Sequence, residues 1–195
     1  IKLNIKKGEK ILITGSTGSG KSTLVRILMK YLDIENKKIE IDDKDINYYN
    51  IKELRQNISY VSQNEILYND TLYNNVTINR YIDYDEFLNI CKITKTDEIF
   101  NNCAFSSSLM IEENGFNLSG GERQRIMLAR ALVKKAEIYI FDESLSQIDV
   151  EKERMILKEI FKKYKNKTFI VISHRNDNSD LYSRKIEIKK GKIID

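Results

Sequence analysis

Short apolar runs divide the chain into strand-sized segments separated by polar turns. Runs rich in Ile, Val and aromatic residues predict buried strands at residues 10–14, 138–141 and 168–172. Residues 39–42 and 58–61 predict two further short strands. Alternating apolar and polar side chains predict a half-exposed strand at residues 1–5, and a final hairpin is predicted from residues 185–188 and 192–194, joined at Lys190-Gly191.

Apolar residues with helical spacing predict three helices. The three predicted helices each have one apolar face. Their faces are Leu24, Ile27, Leu28 and Tyr31; Ile126, Ala129, Leu132 and Val133; and Val150, Leu157, Ile160, Phe161 and Tyr164. Ser119 is placed to cap the second of these helices.

Between about residues 64 and 117 the sequence has no strand pattern. Phe87, Ile90 and Cys91 have helical spacing, and residues 97–100 predict another short helix. We interpret this stretch as a largely helical insertion into one domain, which suits a chain of 195 residues.

Composition narrows the class of protein. The 33 basic and 29 acidic residues are interspersed and leave a net charge of only +4, so we expect a solvated surface and no nucleic-acid partner. Cys91 and Cys103 form no C-x-x-C motif and predict reduced thiols. No apolar run reaches 18 residues, and we expect no signal peptide. Because the sequence begins without Met and inside a predicted strand, we expect residues upstream of it.

A glycine-rich loop between the first strand and the first helix fits the pattern G-x-x-x-x-G-K-[ST]. Its glycines let the backbone approach an anion, and successive N–H groups with the helix N-terminus form a phosphate cradle. Lys21 can reach the β- and γ-phosphates, and the Ser22 hydroxyl can ligate Mg²⁺. The alternative is a glycine-rich turn before an ordinary helix. We favour a nucleoside triphosphate site made of Gly15, Ser16, Thr17, Gly18, Ser19, Gly20, Lys21, Ser22 and Thr23.

A second glycine-lined helix N-terminus is formed by Ser119, Gly120 and Gly121. Such an N-terminus can bind an anion, but it can equally be a Gly-Gly hinge before a helix. The residues alone leave both interpretations open.

Polar side chains follow three of the predicted strands. Asp142 and Glu143 end one strand, where Asp142 can hold Mg²⁺ and Glu143 can orient or deprotonate an attacking water. The alternative is a strand that ends in charges because it reaches the surface. His174 is the only histidine, and both it and Gln63 also follow strands. A lone His more often serves packing, and a lone Gln is usually a polar loop residue.

Taken in order, these segments resemble the nucleotide-binding domain of an ABC transporter over nearly the whole chain. The resemblance rests on residues 15–22, Gln63, the signature at residues 118–124, the run 138–143 and His174. It implies an α/β fold: a P-loop NTPase core with a mostly parallel sheet, a small antiparallel β part shortened at its N-terminus, and an inserted helical subdomain. Residues 1–63 and about 118–195 would form the RecA-like core, and about 64–117 the helical subdomain.

The resemblance also implies residue roles. Gln63 would be the Q-loop glutamine that senses Mg²⁺ and water, Asp142 the Walker B aspartate, and Glu143 the catalytic glutamate. Asp149 would be the D-loop aspartate, and His174 the switch histidine on the γ-phosphate. In this family two domains pair head to tail, so that ATP lies between one phosphate loop and the signature of the other copy.

Two segments resemble the exporter branch of the family: residues 69–76 after the Q-loop, and residues 112–115, where Glu113 would be the acidic X-loop residue. An exporter domain implies a membrane-domain partner contacted near Gln63 and Glu113, and a position on the cytoplasmic face of the cell membrane. Residues 146–149 read Ser-Gln-Ile-Asp and depart from the usual Ser-Ala-Leu-Asp. The alternatives are a soluble ABC-type ATPase in translation or DNA repair, and a non-catalytic ATP-dependent interaction module.

Overall fold

The computed structural model of the chain describes residues 2–63, 65–100 and 108–194. Within them the strands are β1 Lys10–Thr14, β2 Glu40–Ile41, β3 Lys44–Asp45, β4 Ile58–Val61, β5 Asp70–Thr71, β6 Met110–Ile111, β7 Ile138–Asp142, β8 Thr168–Ile172, β9 Arg184–Lys189 and β10 Lys192–Ile194. The helices are α1 Lys21–Leu28, α2 Ile51–Asn57, α3 Leu72–Thr77, α4 Tyr84–Ile93, α5 Asp97–Phe100, α6 Gly120–Val133 and α7 Val150–Lys163.

A six-stranded sheet in the order β10-β9-β1-β8-β7-β4 forms the centre of the domain. The pairs from β9 to β4 are parallel, and only β10 is antiparallel to its neighbour. The predicted α/β fold with a mostly parallel sheet is confirmed, and so is the C-terminal hairpin.

Successive residues of the central strands point to opposite faces of the sheet, and helices cover both faces. In β7, Tyr139 and Phe141 pack in one core with α4, α6 and α7, whereas Ile140 packs in a second core with α1 and α2. Phe169 of β8 stacks on Tyr139, with ring centroids 4.8 Å apart. Burial on both faces explains why these strands have unbroken apolar sequences.

The segment between β4 and α6 contains α4 and α5, as the sequence predicted, and also α3, which the sequence analysis did not predict. It also contains the antiparallel ladder of β5 and β6, which the sequence analysis missed because two-residue strands leave no periodicity. The limits proposed for the inserted subdomain stay a prediction.

The predicted strand at residues 1–5 is wrong for residues 2–5, which form none. Leu3 and Ile5 do pack against the second core, so the alternation reports burial without strand pairing. The predicted face of α1 is confirmed for Leu24 and Leu28, which pack against the second core, but it is wrong for Tyr31, which is 51% exposed because the helix ends at Leu28. Val25 and Met29 are more deeply buried than the predicted face. Tyr31 lies beyond the helix because Lys30 is already in the left-handed conformation.

The thiol of Cys91 is free and buried, and burial raises its pKa to about 12. Cys103 lies outside the described residues. Among the helices of the part of the chain that the structure describes, none is long and apolar enough to span a membrane.

Candidate nucleotide site

The carboxyl ends of four neighbouring parallel strands meet at one edge of the sheet. β1 leads into the phosphate loop, β4 leads to Gln63, β7 ends at Asp142 and β8 leads to His174. The topology therefore brings together the site residues that the sequence predicted at separate strand ends.

The phosphate loop depends on glycine at its first position. Gly15 has φ 147°, and a Cβ there would lie 2.2 Å from the carbonyl oxygen of Ile188 in β9 and 2.8 Å from Ser19 Oγ. The turn of the C-terminal hairpin supports the other end of the loop, where the Gly191 N–H donates to the Ser19 carbonyl at 2.9 Å. The loop is thus held between β9 and the β9–β10 turn, a support that the sequence analysis did not predict.

Lys21 lies against its own loop. It is 5% exposed, and its ammonium group donates to the carbonyls of Gly15 at 2.7 Å and Ser16 at 3.1 Å. Ser19 is 3% exposed, and its hydroxyl has no hydrogen-bond partner among the described residues. A buried cation and a buried unpaired hydroxyl in one glycine loop suit a bound polar anion.

The carboxylate of Asp142 is buried behind the loop. Burial raises its pKa, the Glu143 charge raises it further, and a hydrogen bond from Tyr60 and the Lys21 charge lower it. The Tyr60 hydroxyl donates to Asp142 Oδ2 at 3.3 Å from the neighbouring strand β4. The sequence analysis did not select Tyr60, whose only signal was a polar group three residues before Gln63.

Glu143 and His174 are in direct contact. Glu143 Oε1 lies 2.7 Å from His174 Nε2, so the imidazole is placed to donate to the carboxylate. Glu143 has φ 53°, and its N–H donates to the carbonyl of Ile172 at the end of β8. The left-handed backbone turns the side chain away from the strand direction, where a ligand above the sheet edge can reach it.

The signature segment begins α6 with a capping box. The Ser119 hydroxyl accepts from the Glu122 N–H, and Glu122 accepts from the Ser119 N–H. No hydrogen bond in the described part of the chain joins Ser119, Gly120 or Gly121 to the phosphate loop. Within one copy of the domain, the two glycine-lined helix N-termini therefore do not form one hydrogen-bonded site among the described residues.

Both signature glycines are covered by Gln147. A Cβ on Gly120 would lie 1.8 Å from Gln147 Oε1, and a Cβ on Gly121 would lie 2.9 Å from the Gln147 carbonyl oxygen. Asp149 caps α7 by accepting from the Lys152 N–H at 2.8 Å. In this chain the glycine pair is needed for close packing of residues 146–149 on α6.

Gln63 is exposed beyond β4. Ser16, Thr17, Ser22 and Thr23 are exposed around the loop and the first turn of α1. Among the described residues, no group of three or more His, Cys, Asp or Glu side chains could hold a metal ion by themselves.

The sheet order, the glycine loop with its buried lysine and the carboxylates at the strand ends define a phosphate-loop nucleotide-binding domain. The family profile described as "ABC transporter" matches residues 1–146. The chain belongs to the ABC transporter family.

Similar proteins agree with this assignment. The ATP-dependent lipid A-core flippase of Vibrio parahaemolyticus is 34% identical over 197 residues, and that of Pseudoalteromonas translucida is 37% identical over 198 residues. Each alignment covers 100% of this chain and 34% of the relative. A solved bacterial Atm1-family ABC exporter with ATP bound superposes with a TM-score of 0.89 at 30% identity, covering 96% of this chain and 33% of that one. The chain thus spans about a third of the length of these relatives.

Proposed function

We propose that the chain binds and hydrolyses MgATP as the nucleotide-binding domain of an ABC exporter and drives export through a membrane domain. The observation that carries the proposal is the 2.7 Å contact between Glu143 and His174, at the sheet edge that also carries the phosphate loop. This contact is the arrangement expected of a water-orienting carboxylate with a positioned proton carrier.

The residues present fit MgATP. Lys21 and the N–H groups of residues 15–23 would hold the phosphates, while Ser22, Asp142 and Gln63 would hold Mg²⁺ directly or through water. When bound, the ion neutralises the charge that develops on the transferred phosphoryl group. Asp142 suits this role because the residue is only 8% exposed and its carboxylate accepts a hydrogen bond from the Tyr60 hydroxyl.

Glu143 would orient the attacking water and accept its proton. His174 would hold the Glu143 carboxylate and bind the γ-phosphate when the nucleotide is enclosed. The fixed turn at Glu143, tied to β8 through Ile172, limits the carboxylate to a small region above the sheet. A carboxylate held in this way favours the geometry needed for in-line attack.

A second copy of the domain would complete the site. Ser119 is exposed, and Gly120 and Gly121 are half-buried under Gln147, at a helix end that shares no hydrogen bond with the phosphate loop among the described residues. We infer that this helix end faces the nucleotide of a head-to-tail partner. Asp149, at the end of the same loop that covers the glycines, would lie at that interface.

The membrane domain would dock near Gln63 and Glu113. The segment that follows Gln63 and the segment that contains Glu113 are joined by a hydrogen bond, which the Asn114 N–H donates to the Leu67 carbonyl at 2.9 Å. These two segments carry exposed apolar side chains: Ile66 57%, Tyr68 57%, Met110 55% and Phe116 78%. Exposed apolar side chains of this kind fit a protein partner, and they support the proposal that the domain lies at the cytoplasmic face of the cell membrane.

Glu143→Gln tests the hydrolytic proposal. The amide keeps the size of the side chain and removes the base, so ATP should still bind while turnover falls about a hundredfold or more. Glu159→Gln, at an exposed position on α7, is the matched control and should leave both ATP binding and turnover unchanged. Turnover near the wild-type value in Glu143→Gln would remove Glu143 from the catalytic role.

A further inference from the structure

Residues 146–148 are held from two sides by side chains of two other elements. On one side, Gln124 of α6 accepts from the Gln147 N–H at 2.7 Å and donates to Ser146 Oγ at 3.2 Å. On the other side lies Arg175, the residue after His174. Its guanidinium donates to the Ile148 carbonyl at 2.6 Å and also to the Ser146 carbonyl.

We propose that Arg175 is a positioning residue that ties the His174 loop to residues 146–148 and makes the signature end of α6 respond to the state of the catalytic pair. The proposal rests on the proposed function, because the catalytic pair and the signature matter only if the domain binds ATP.

The fork of the guanidinium suits this task. The two terminal nitrogens of Arg175 bind carbonyls two residues apart, so residues 146–148 cannot shift without the loop that carries His174. Glu153 of α7 lies 3.6 Å from Arg175 Nη1 and is buried. The arginine is therefore oriented on one side by a carboxylate and on the other by two backbone acceptors.

The path continues from this loop to the signature. Ser146 Oγ donates to the Glu143 carbonyl at 2.9 Å, and Gln147 packs on Gly120. A displacement of His174 on binding a γ-phosphate thus reaches Gly120 through Arg175 and residues 146–148. In a head-to-tail pair His174 would serve the chain's own nucleotide and the signature the partner's, so this path links the two nucleotide sites.

Arg175→Lys tests the link in the full protein, with ATP and Mg²⁺ as probes. The lysine keeps the charge beside Glu153 but cannot hold two separated carbonyls in a fixed geometry. Wild type should show ATP-dependent turnover with a Hill coefficient above 1. In Arg175→Lys we expect a coefficient near 1 and kcat lower by about fivefold.

Binding supplies the second readout. Calorimetric titration with the slowly hydrolysed β,γ-imido analogue of ATP should give an average Kd within about twofold of wild type, with the cooperativity lost. Arg154→Lys is the matched control, because Arg154 makes a two-nitrogen contact with Asp180, at 2.6 Å and 2.6 Å, away from residues 146–148. It should keep wild-type cooperativity.

A wild type without cooperativity, or an Arg175→Lys variant that behaves like Arg154→Lys, would overturn the proposal. So would a parallel loss of affinity, kcat and melting temperature, which would make Arg175 a purely structural residue. Failure of the proposed function itself would look different: turnover would not depend on Glu143 in any of these proteins.

Discussion

The two glycine-lined helix ends of this domain differ in how their N–H groups are satisfied. Among the described residues, no side chain caps α1; Gly20 is left-handed with φ 108°, and its first turn has no acidic residue. α6 begins with a capping box, and Glu122 places a carboxylate in its first turn. An uncapped end beside a buried lysine can attract an anion by itself, whereas a capped end beside a carboxylate cannot do so strongly.

This difference teaches that a glycine before a helix has two distinct uses. In the phosphate loop, glycine gives the backbone a path that no side chain allows next to β9. In the signature, glycine leaves room for Gln147. We expect the first end to supply nucleotide affinity and the second to act only on a nucleotide that another loop already holds.

Removing Lys21, at the N-terminal end of α1, should have the largest effect, and that effect should be on the affinity for ATP. Lys21→Ala deletes a buried charge and leaves two loop carbonyls without their donor. Hydrogen bonds to charged groups contribute about 1.5–3 kcal/mol, so the Kd for ATP should rise by roughly thirtyfold. Calorimetric titration measures it.

Lys30→Ala is the matched control. Lys30 lies just beyond the C-terminal end of α1, and its ammonium group also donates to two carbonyls, those of Asn47 and Tyr49. The substitution should lower stability without changing ATP affinity. Equal losses of ATP affinity in Lys21→Ala and Lys30→Ala would contradict the claim that the N-terminal end of α1 supplies the affinity for the nucleotide.

A methyl group added to a glycine at the N-terminal end of α6 should lower turnover without weakening the binding of ATP. In Gly121→Ala the Cβ meets the backbone oxygen of Gln147, which cannot move aside, so kcat should fall about tenfold, or roughly 1.4 kcal/mol. In Gly120→Ala the two closest contacts of the new Cβ are with the flexible end of the Gln147 side chain, so the second substitution Gln147→Ala should remove most of the clash. Steady-state kinetics of the single and double variants measure this. A Gly120→Ala defect that persists with Gln147→Ala would show that the packing on Gln147 is not the cause.

The smallest effect is expected from the carboxylate of the capping box. Glu122→Gln keeps a hydrogen-bonding group but removes a negative charge near the anion, so ATP-driven association should tighten by about threefold, within the range of roughly 0.3–1 kcal/mol for a charge at a helix end. Analytical ultracentrifugation in the Glu143→Gln background measures the association. Weaker association in Glu122→Gln would mean that the capping hydrogen bond of Glu122 favours association more than its negative charge opposes it.

The same residue predicts a pH dependence. Burial raises the pKa of Glu122, but hydrogen bonds from Ser119 outweigh it, and the net pKa is lowered. A lowered pKa contributes stability above the unfolded-state value of about 4.3, and that contribution is lost as the pH falls through the folded-state pKa. The advantage of wild type over Glu122→Gln in urea unfolding should therefore shrink below about pH 4.

The sequence predicted the parts of the domain that depend on local pattern. Strands buried on both faces have continuous apolar runs, and the phosphate loop is one contiguous motif, so both were found. Contacts between distant segments were missed, including Tyr60 with Asp142 and Arg175 with residues 146–148. They depend on backbone carbonyls and strand order, which no single stretch of sequence specifies. The same reason explains why the strand predicted at residues 1–5 was wrong for residues 2–5: alternating apolar residues indicate burial, but they do not specify a neighbouring strand.

The dependence of ATPase activity on protein concentration tests most directly whether the second helix end acts on a partner's nucleotide. For the 195-residue chain, specific activity at saturating MgATP should rise with concentration and follow the dimer fraction measured in the same samples by ultracentrifugation. A specific activity that stays constant down to concentrations at which the protein is monomeric would contradict the account.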